Sequence, residues 1–125
     1  MRVIIDTSVL IAADSPGELE GAISAASLAE LHFGLLVAAD DQERARRAQR
    51  LGVVEATFDP LPINAAVARE WGRLAAVVVA GGGQPRRRAI DLAIAATANI
   101  QRVPVLTQDV DDFEGLADVL HPGAL

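Results

Sequence analysis

The sequence predicts an α/β fold: a three-layer α/β/α sandwich with a mostly parallel central sheet. Apolar, β-branched runs at residues 3–5 and 103–107 alternate with amphipathic helical patterns, which is typical of parallel sheets covered by helices. The length of 125 residues fits a single domain over residues 1–125, with a substantial core. Hydrophobic residues make up 51% but aromatic residues only 3%, so aliphatic side chains must build that core.

The N-terminal elements have clear local signals. Residues 3–5 predict a buried strand, and Asp6 begins a short helix that runs to about Ala13. Residues 15–18, with Pro at the first helical position, predict another helix start. Residues 21–24 predict a second strand, so strands and helices alternate from the start of the chain.

Two capping boxes follow. Residues 27–30 match the first, which opens a helix to about Ala39. Residues 40–43 match the second, which opens a helix to about Gly52. Residues 53–62 then predict a poor strand and a turn.

The C-terminal half repeats the alternation. Asn64 caps a helix with an apolar stripe, and a glycine-rich loop at residues 81–85 ends it. Residues 88–100 predict an Ala-rich helix that is apolar nearly all round, which is typical of a buried helix. The last elements are a strand at residues 103–107, a helical turn at 109–114 and a strand at 119–120.

Composition excludes several kinds of chemistry. Without Cys there is no thiolate nucleophile, disulfide or Cys-ligated zinc, and because all 11 basic residues are Arg there is no Schiff-base lysine. A net charge of −6 argues against a simple basic nucleic-acid-binding module, although a metal-loaded acidic site behaves differently from the bare chain. The longest apolar run, residues 74–80, is too short to span a bilayer, and no signal-peptide pattern is present. We therefore expect a cytoplasmic protein without membrane contact.

Four acidic residues fall where a site in such a fold is expected. Asp6 and Asp109 lie just past the two clearest strands, and ligands of open α/β sheets bind at the carboxyl ends of strands. Glu30 lies in the first turn of its predicted helix. Asp91 lies early in the helix that leads into the strand at residues 103–107, and such a helix runs antiparallel to its strand. Asp6, Asp109 and Asp91 should therefore reach one edge of the sheet.

Taken singly, each acid has a simpler explanation, because acidic residues are common at helix starts. Asp6 and Asp109 would be N-caps. Glu30 would be the return partner of Ser27 in the capping box. Asp91 would complement the helix dipole, but a carboxylate in a buried apolar helix needs a partner, which a metal ion would supply.

Four segments form an ordered set: residues 3–10, residues 27–31 with Gly34, residues 90–98, and residues 105–109 with Asp112 and Phe113. In this order and at this spacing they resemble the PIN-domain ribonucleases, specifically the toxins of VapBC-type toxin–antitoxin pairs. The resemblance spans nearly the whole chain. It implies a PIN-like fold, metal-dependent cleavage of single-stranded or looped RNA, a homodimer, and a cognate antitoxin that blocks the site.

The resemblance also implies the site residues. Those that bind metal and act in catalysis would be Asp6, Glu30, Asp91 and Asp109. Asp6 and Asp91 are the best direct ligands, and Glu30 binds metal through water or acts as general base. Carboxylates without His or Cys suit Mg²⁺ or Mn²⁺, which would activate a water for attack on the phosphodiester bond.

Further residues around the site have two interpretations each. Asp112 is an outer ligand or, more simply, surface charge on a helical turn. Thr7 and Thr107 resemble hydroxyls that bracket the site, or are a cap and a strand end. His32 and His121 are isolated and more typical of surface or core.

Two groups of arginines are candidates for RNA contact. The first group is Arg86, Arg87 and Arg88, which follow the glycine-rich loop within about one helical turn of Asp91. These arginines either bind the phosphates of the substrate or form a charged entry to the helix. The second group is Arg44, Arg46, Arg47 and Arg50, and it is interpreted as a solvated helix face. Within it, Arg47 forms an i,i+4 pair with Glu43. Apolar surface for partners is predicted near residues 35–37 or on the Trp71 helix. Ordinary core is the alternative for both, and for Trp71 it is the favoured interpretation.

Other enzyme classes fit less well. A receiver domain needs a Lys beside its acidic pocket, and this chain has none. A haloacid-dehalogenase-type phosphatase needs a second Asp two residues after the first, where this chain has Ser8. The remaining alternative is a catalytically silent PIN-like module that only binds RNA or protein.

Overall fold

The computed structural model describes residues 2–124 and contains a three-stranded parallel sheet. In the order β1-β2-β3, its strands are Ile4–Ile5, Val105–Leu106 and Val119–Leu120, and Ile4 lies opposite Val105. The predicted strands at these places are confirmed, although the first two are shorter than predicted. The shortness of the strands makes the helices the larger part of the fold.

Over the described residues, five helices surround the sheet: α1 (Thr7–Ala12), α2 (Ala25–Leu36), α3 (Asp41–Thr57), α4 (Ala65–Ala80) and α5 (Ala89–Gln101). Short 3₁₀ turns occupy Pro16–Glu18, Pro85–Arg88, Val110–Phe113 and Pro122–Ala124. Within residues 2–124, none of the helices combines the length and the apolar character that crossing a bilayer requires.

Successive strand residues point to opposite faces of the sheet, which creates two cores. Ile4 and Val105 pack in one core with α4 and α5, and that core includes the fully buried segment 92–96 of α5. Ile5 and Leu106 pack in the other core with apolar residues of α1, α2 and α3. Helices thus cover both faces of a parallel sheet, as the sequence predicts.

The strand predicted at residues 21–24 does not form. Ala22 makes only a single bridge to Ile4, and Ser24 a single bridge to Leu61. Gly21 precedes them with a φ of +150°, and a Cβ there would lie 2.9 Å from side-chain atoms of Val3 and Ile5. The chain passes close to β1 at this glycine and then leaves for α2, so no ladder can extend.

Helix α2 begins three residues earlier than the capping box predicts. The N-cap is Ser24, whose Oγ accepts a hydrogen bond from the N–H of Ala26 at 3.0 Å. Ser27 therefore lies inside the first turn, and Glu30 in the next turn, so the two residues do not form a capping box. The helix ends at Leu36 rather than at about Ala39.

Helix α3 has the predicted start but a different end. Oδ1 of Asp40 accepts from the N–H of Glu43 at 2.8 Å, as the second capping box predicts. The helix then passes Gly52 and continues to Thr57, so the poor strand predicted after Gly52 is wrong. Leu51 and Val54 are buried on one side of the helix, and this burial outweighs the roughly 1 kcal/mol cost of a helical glycine.

Helix α4 agrees closely with the prediction. Oδ1 of Asn64 accepts from the N–H of Val67 at 3.0 Å, and the helix ends at Ala80, directly before the glycine-rich loop. Val67, Leu74 and Val78 are buried, and Trp71 packs against the same core. This stripe holds α4 against α5, the helix that carries Asp91.

Candidate active site

Asp6 lies at the carboxyl end of β1 and is only 5% exposed. It occupies the N-cap position of α1, yet its side chain makes no capping hydrogen bond. Instead, Oδ2 accepts from Oγ of Ser8 at 2.6 Å and from Oγ1 of Thr107 at 2.8 Å. The simpler explanation of Asp6 as a helix cap is therefore wrong, because its carboxylate is held toward the end of the neighbouring strand.

Ser8 and Thr107 join the two strand ends. Oγ of Ser8 accepts from the N–H of Gln108 at 3.1 Å, and Oγ1 of Thr107 accepts from the N–H of Asp109 at 2.9 Å. The sequence did not single out Ser8 as a site residue. There, Ser8 served only to argue against a haloacid-dehalogenase-type phosphatase, which needs Asp at this position. The signal was present, since a hydroxyl two residues after a strand-end Asp can hold its carboxylate.

Thr7 faces away from this pair of strand ends. Its Oγ1 donates to Oγ of Ser27 on α2 at 2.9 Å, and both side chains are buried. Of the two threonines expected to bracket the site, Thr107 touches Asp6 and Thr7 links α1 to α2.

Asp91 is half-buried near the start of α5, and its pKa is raised to about 6. Burial is the largest cause, because desolvation disfavours the charged carboxylate. The carboxylates of Asp112, Asp6 and Glu30 raise the pKa further, and Arg88 opposes them. Asp91 therefore lies within electrostatic reach of three other acids that come from three different segments.

Glu30 is exposed on α2, where it lines a cleft with Ile11 of α1 and with Arg47 and Arg50 of α3. The early start of α2 removes its capping role. The Glu30 carboxylate raises the pKa of Asp91, so Glu30 belongs to the same acidic cluster.

Among the C-terminal acids, it is Asp112 rather than Asp109 that raises the pKa of Asp91. Asp109 is exposed at the same edge of the sheet and lines a cleft with Asp112 and His121. Its backbone N–H is bound to Thr107, and its role as a ligand stays a prediction. Sequence reasoning underestimated Asp112, because the 3₁₀ turn that brings it toward α5 has no local signal for that direction.

The three consecutive arginines are not equivalent. Arg86 and Arg87 are exposed, whereas Arg88 is half-buried and its Nη2 donates to the backbone carbonyl of Asp112. On α3, the predicted pair of Glu43 and Arg47 is present, with Nε of Arg47 2.8 Å from Oε1 of Glu43.

The donor set suits a hard cation. Asp6 and Asp91 offer carboxylate oxygens at one sheet edge, and both hydroxyls that bind Asp6 do so at Oδ2, which leaves Oδ1 for a ligand. In residues 2–124, no three Asp, Glu or His side chains stand close enough to form a ready metal cage. Like charges repel, so a cation would be needed to draw these carboxylates together.

Comparison with known proteins finds relatives over most of the chain. A family model for the PIN domain matches residues 3–119. Ribonuclease VapC5 of Mycobacterium tuberculosis is 41% identical over 120 residues, which cover 90% of this chain and 86% of the relative. Ribonuclease VapC4 of the same organism is 33% identical over 125 residues, covering 94% of this chain and 93% of the relative.

Solved structures give the same result. The crystal structure of VapBC-5 from Mycobacterium tuberculosis, a member of the VapBC family of toxin–antitoxin systems, matches with a TM-score of 0.76 and 35% identity over 96% of both chains. DNA-bound VapBC from Salmonella typhimurium matches with a TM-score of 0.76 over 97% of this chain and 98% of that one. At 18% identity, this second match supports the fold alone.

Proposed function

The chain belongs to the PIN-domain family, and on this premise we propose that it is a metal-dependent endoribonuclease that acts as the toxin of a toxin–antitoxin pair. The relatives named as ribonucleases are similar over nearly their whole length, which supports the reaction. The observation that carries the proposal is the half-buried carboxylate of Asp91 beside those of Asp112, Asp6 and Glu30. Such a cluster is costly unless it binds a cation or a proton.

Each acid has a distinct role in this proposal. Asp6 and Asp91 would hold the metal directly, and Ser8 and Thr107 keep the Asp6 carboxylate in place through Oδ2. Glu30 is exposed next to a cleft and removes a proton from the attacking water. Asp109 is an additional ligand at the end of β2, as the family resemblance implies.

Mg²⁺ or Mn²⁺, when bound, would supply Lewis acidity toward the phosphoryl oxygen and lower the pKa of a water. Hard carboxylate donors without sulfur or imidazole favour these cations over zinc or copper. Arg86 and Arg87, exposed on the turn that leads into α5, contact the phosphates of the RNA that enters this edge.

The antitoxin partner fits an apolar surface at the C-terminal end of α2. Phe33, Leu36 and Val37 are 67%, 75% and 55% exposed, which is unusual for large apolar side chains this close together in sequence. We propose that the cognate antitoxin covers this surface and restricts access to the adjacent site. The resemblance also implies a homodimer.

One experiment separates the enzyme from a silent binding module. The purified protein is incubated with a mixed RNA pool in Mg²⁺, and the new 5′ and 3′ ends are sequenced. The proposal predicts discrete cleavage sites that disappear in EDTA and in the Asp6→Asn variant. Cleavage that survives EDTA, or RNA binding without cleavage in Mg²⁺ and in Mn²⁺, would contradict the proposal.

A further inference from the structure

We propose that Arg88 is a positioning residue of the metal site: it holds the turn Val110–Phe113 so that the carboxylate of Asp112 stays beside Asp91. This inference rests on the proposed function, since it assigns Asp112 to the same acidic cluster. It also changes the interpretation of the arginine triplet, because Arg88 then serves the protein rather than the RNA.

The contact that carries the inference joins two distant segments. Nη2 of Arg88 donates to the backbone carbonyl of Asp112, 24 residues further along the chain. Arg88 ends the 3₁₀ turn Pro85–Arg88 and lies three residues before Asp91. One side chain thus spans from the start of α5, which carries Asp91, to the turn that carries Asp112.

Two anchors fix the backbone at this point of the turn. Phe113 is fully buried in the core that contains α5, so its side chain anchors the turn to that core. Arg88 binds the carbonyl of the peptide group between Asp112 and Phe113, and so fixes the orientation of that peptide plane. Asp112 itself is exposed, so the direction of its side chain depends on this backbone.

The electrostatic and the positioning roles of Arg88 predict opposite results. As a counter-charge, Arg88 repels a cation, so its removal should tighten metal binding. As a positioning residue, it keeps Asp112 near the metal, so its removal should weaken binding. Outer partners that orient metal ligands typically contribute about 10–100-fold to metal affinity.

The chain provides a matched control. Arg87 stands one residue earlier in the same turn with the same charge, but it is exposed. Arg88→Lys is a second comparison, because an ammonium keeps the charge and can still donate to a carbonyl, although without the planar fork of a guanidinium.

The experiment titrates Mn²⁺ alone into the full-length protein by isothermal calorimetry. We expect Arg88→Ala to weaken Mn²⁺ binding by about tenfold, Arg88→Lys to recover part of this loss, and Arg87→Ala to leave the affinity unchanged. In an Asp112→Asn background, Arg88→Ala should cause little further loss, since the group that it positions has been removed. Unchanged or tighter binding by Arg88→Ala, or an equal loss in both backgrounds, would overturn the inference.

Hydrogen exchange provides a test that needs no metal. Amides of residues 110–116 should exchange faster in Arg88→Ala than in Arg87→Ala, while the amides of α4 stay as protected as in the wild type. Equal exchange of this segment in both variants would contradict the positioning role. If the wild type binds no Mn²⁺ but the exchange difference is present, the proposed function fails, while the contact by which Arg88 orders the turn Val110–Phe113 is supported.

Discussion

Thr7 and Ser27 form a buried hydrogen bond that links the two segments carrying Asp6 and Glu30. Oγ1 of Thr7 donates to Oγ of Ser27 at 2.9 Å, and both residues are almost completely buried. Thr7 directly follows Asp6, and Ser27 lies one helical turn before Glu30. The distance between these two acids is therefore set by a hydroxyl pair beneath them and not only by the apolar core.

Ser27→Ala should destabilise the protein although it removes a single oxygen. The buried hydroxyl of Thr7 would lose its partner, which costs about 1–3 kcal/mol. Thermal unfolding measures the loss, and Thr57→Ala is the control, because the hydroxyl of Thr57 binds the carbonyl of Val53 at an exposed position. Equal melting temperatures for Ser27→Ala and wild type would show that the pair contributes nothing.

Local signals predicted the parts of the fold that depend on few neighbours. Asp40 and Asn64 were identified as caps from their own sequence context, and the structure confirms both hydrogen bonds. Ser24 and Ser27 are both suitable caps, and the sequence could not distinguish them. Both side chains are fully buried, so their hydrogen-bond partners decide between them: Ser27 binds Thr7, and Ser24 is left to cap the helix through the N–H of Ala26.

The candidate site shows the same division. The strand end at Asp6 and the antiparallel direction of the helix that carries Asp91 predicted that these two acids would share one edge, and the raised pKa of Asp91 agrees with that. The choice between Asp109 and Asp112 depends on how the 3₁₀ turn is rotated. That rotation is set by Arg88 and by the burial of Phe113, and both are tertiary contacts without a local pattern.

Asp91→Asn should stabilise the metal-free protein in a pH-dependent way. The pKa of Asp91 is raised to about 6 in the fold, whereas an unfolded Asp titrates near 3.9. The folded state therefore holds this proton more tightly, so the free energy of unfolding falls as the pH rises from about 4 to about 6, and then levels off. Removing the charge should raise the melting temperature in EDTA by a few degrees at pH 7.5 and by less at pH 5.

Metal should reverse the order of stability. In excess Mg²⁺ the wild type gains stability by binding, while Asp91→Asn has lost a proposed ligand and gains less. A variant that is less stable than wild type in EDTA at pH 7.5 would show that the Asp91 carboxylate is not strained. An equal gain from Mg²⁺ in both proteins would contradict its role as a ligand.

Glu30→Gln should slow cleavage strongly without affecting the fold. Glu30 is exposed and has no capping role, so the substitution is expected to change the free energy of unfolding by at most about 0.5 kcal/mol. A general base contributes about 10²–10⁴-fold to the rate, which the rate of RNA cleavage in Mg²⁺ would reveal. Glu55→Gln is the control, since Glu55 is exposed on α3 and pairs with His32 instead. Cleavage by Glu30→Gln at the wild-type rate would exclude Glu30 from catalysis.

The arginine triplet must be divided to test RNA contact, because Arg88 is bound to Asp112 and its loss would disturb the site. Arg86 and Arg87 are exposed beside the acidic edge, so the variant that replaces both with Ala should bind RNA more weakly. Each lost contact with single-stranded RNA should reduce the slope of log K against log salt by about 0.7, so the double variant should lose about 1.4.

Binding is measured by fluorescence anisotropy with a labelled RNA in the Asp6→Asn background, which prevents cleavage. Arg44→Ala on α3 is the control, and its slope should match that of the parent, since α3 is interpreted as a solvated face. A slope that is unchanged by loss of Arg86 and Arg87 would mean that these side chains are ordinary surface charge. A reduced slope in Arg44→Ala would instead place the path of the RNA along α3, across the cleft that Glu30 lines.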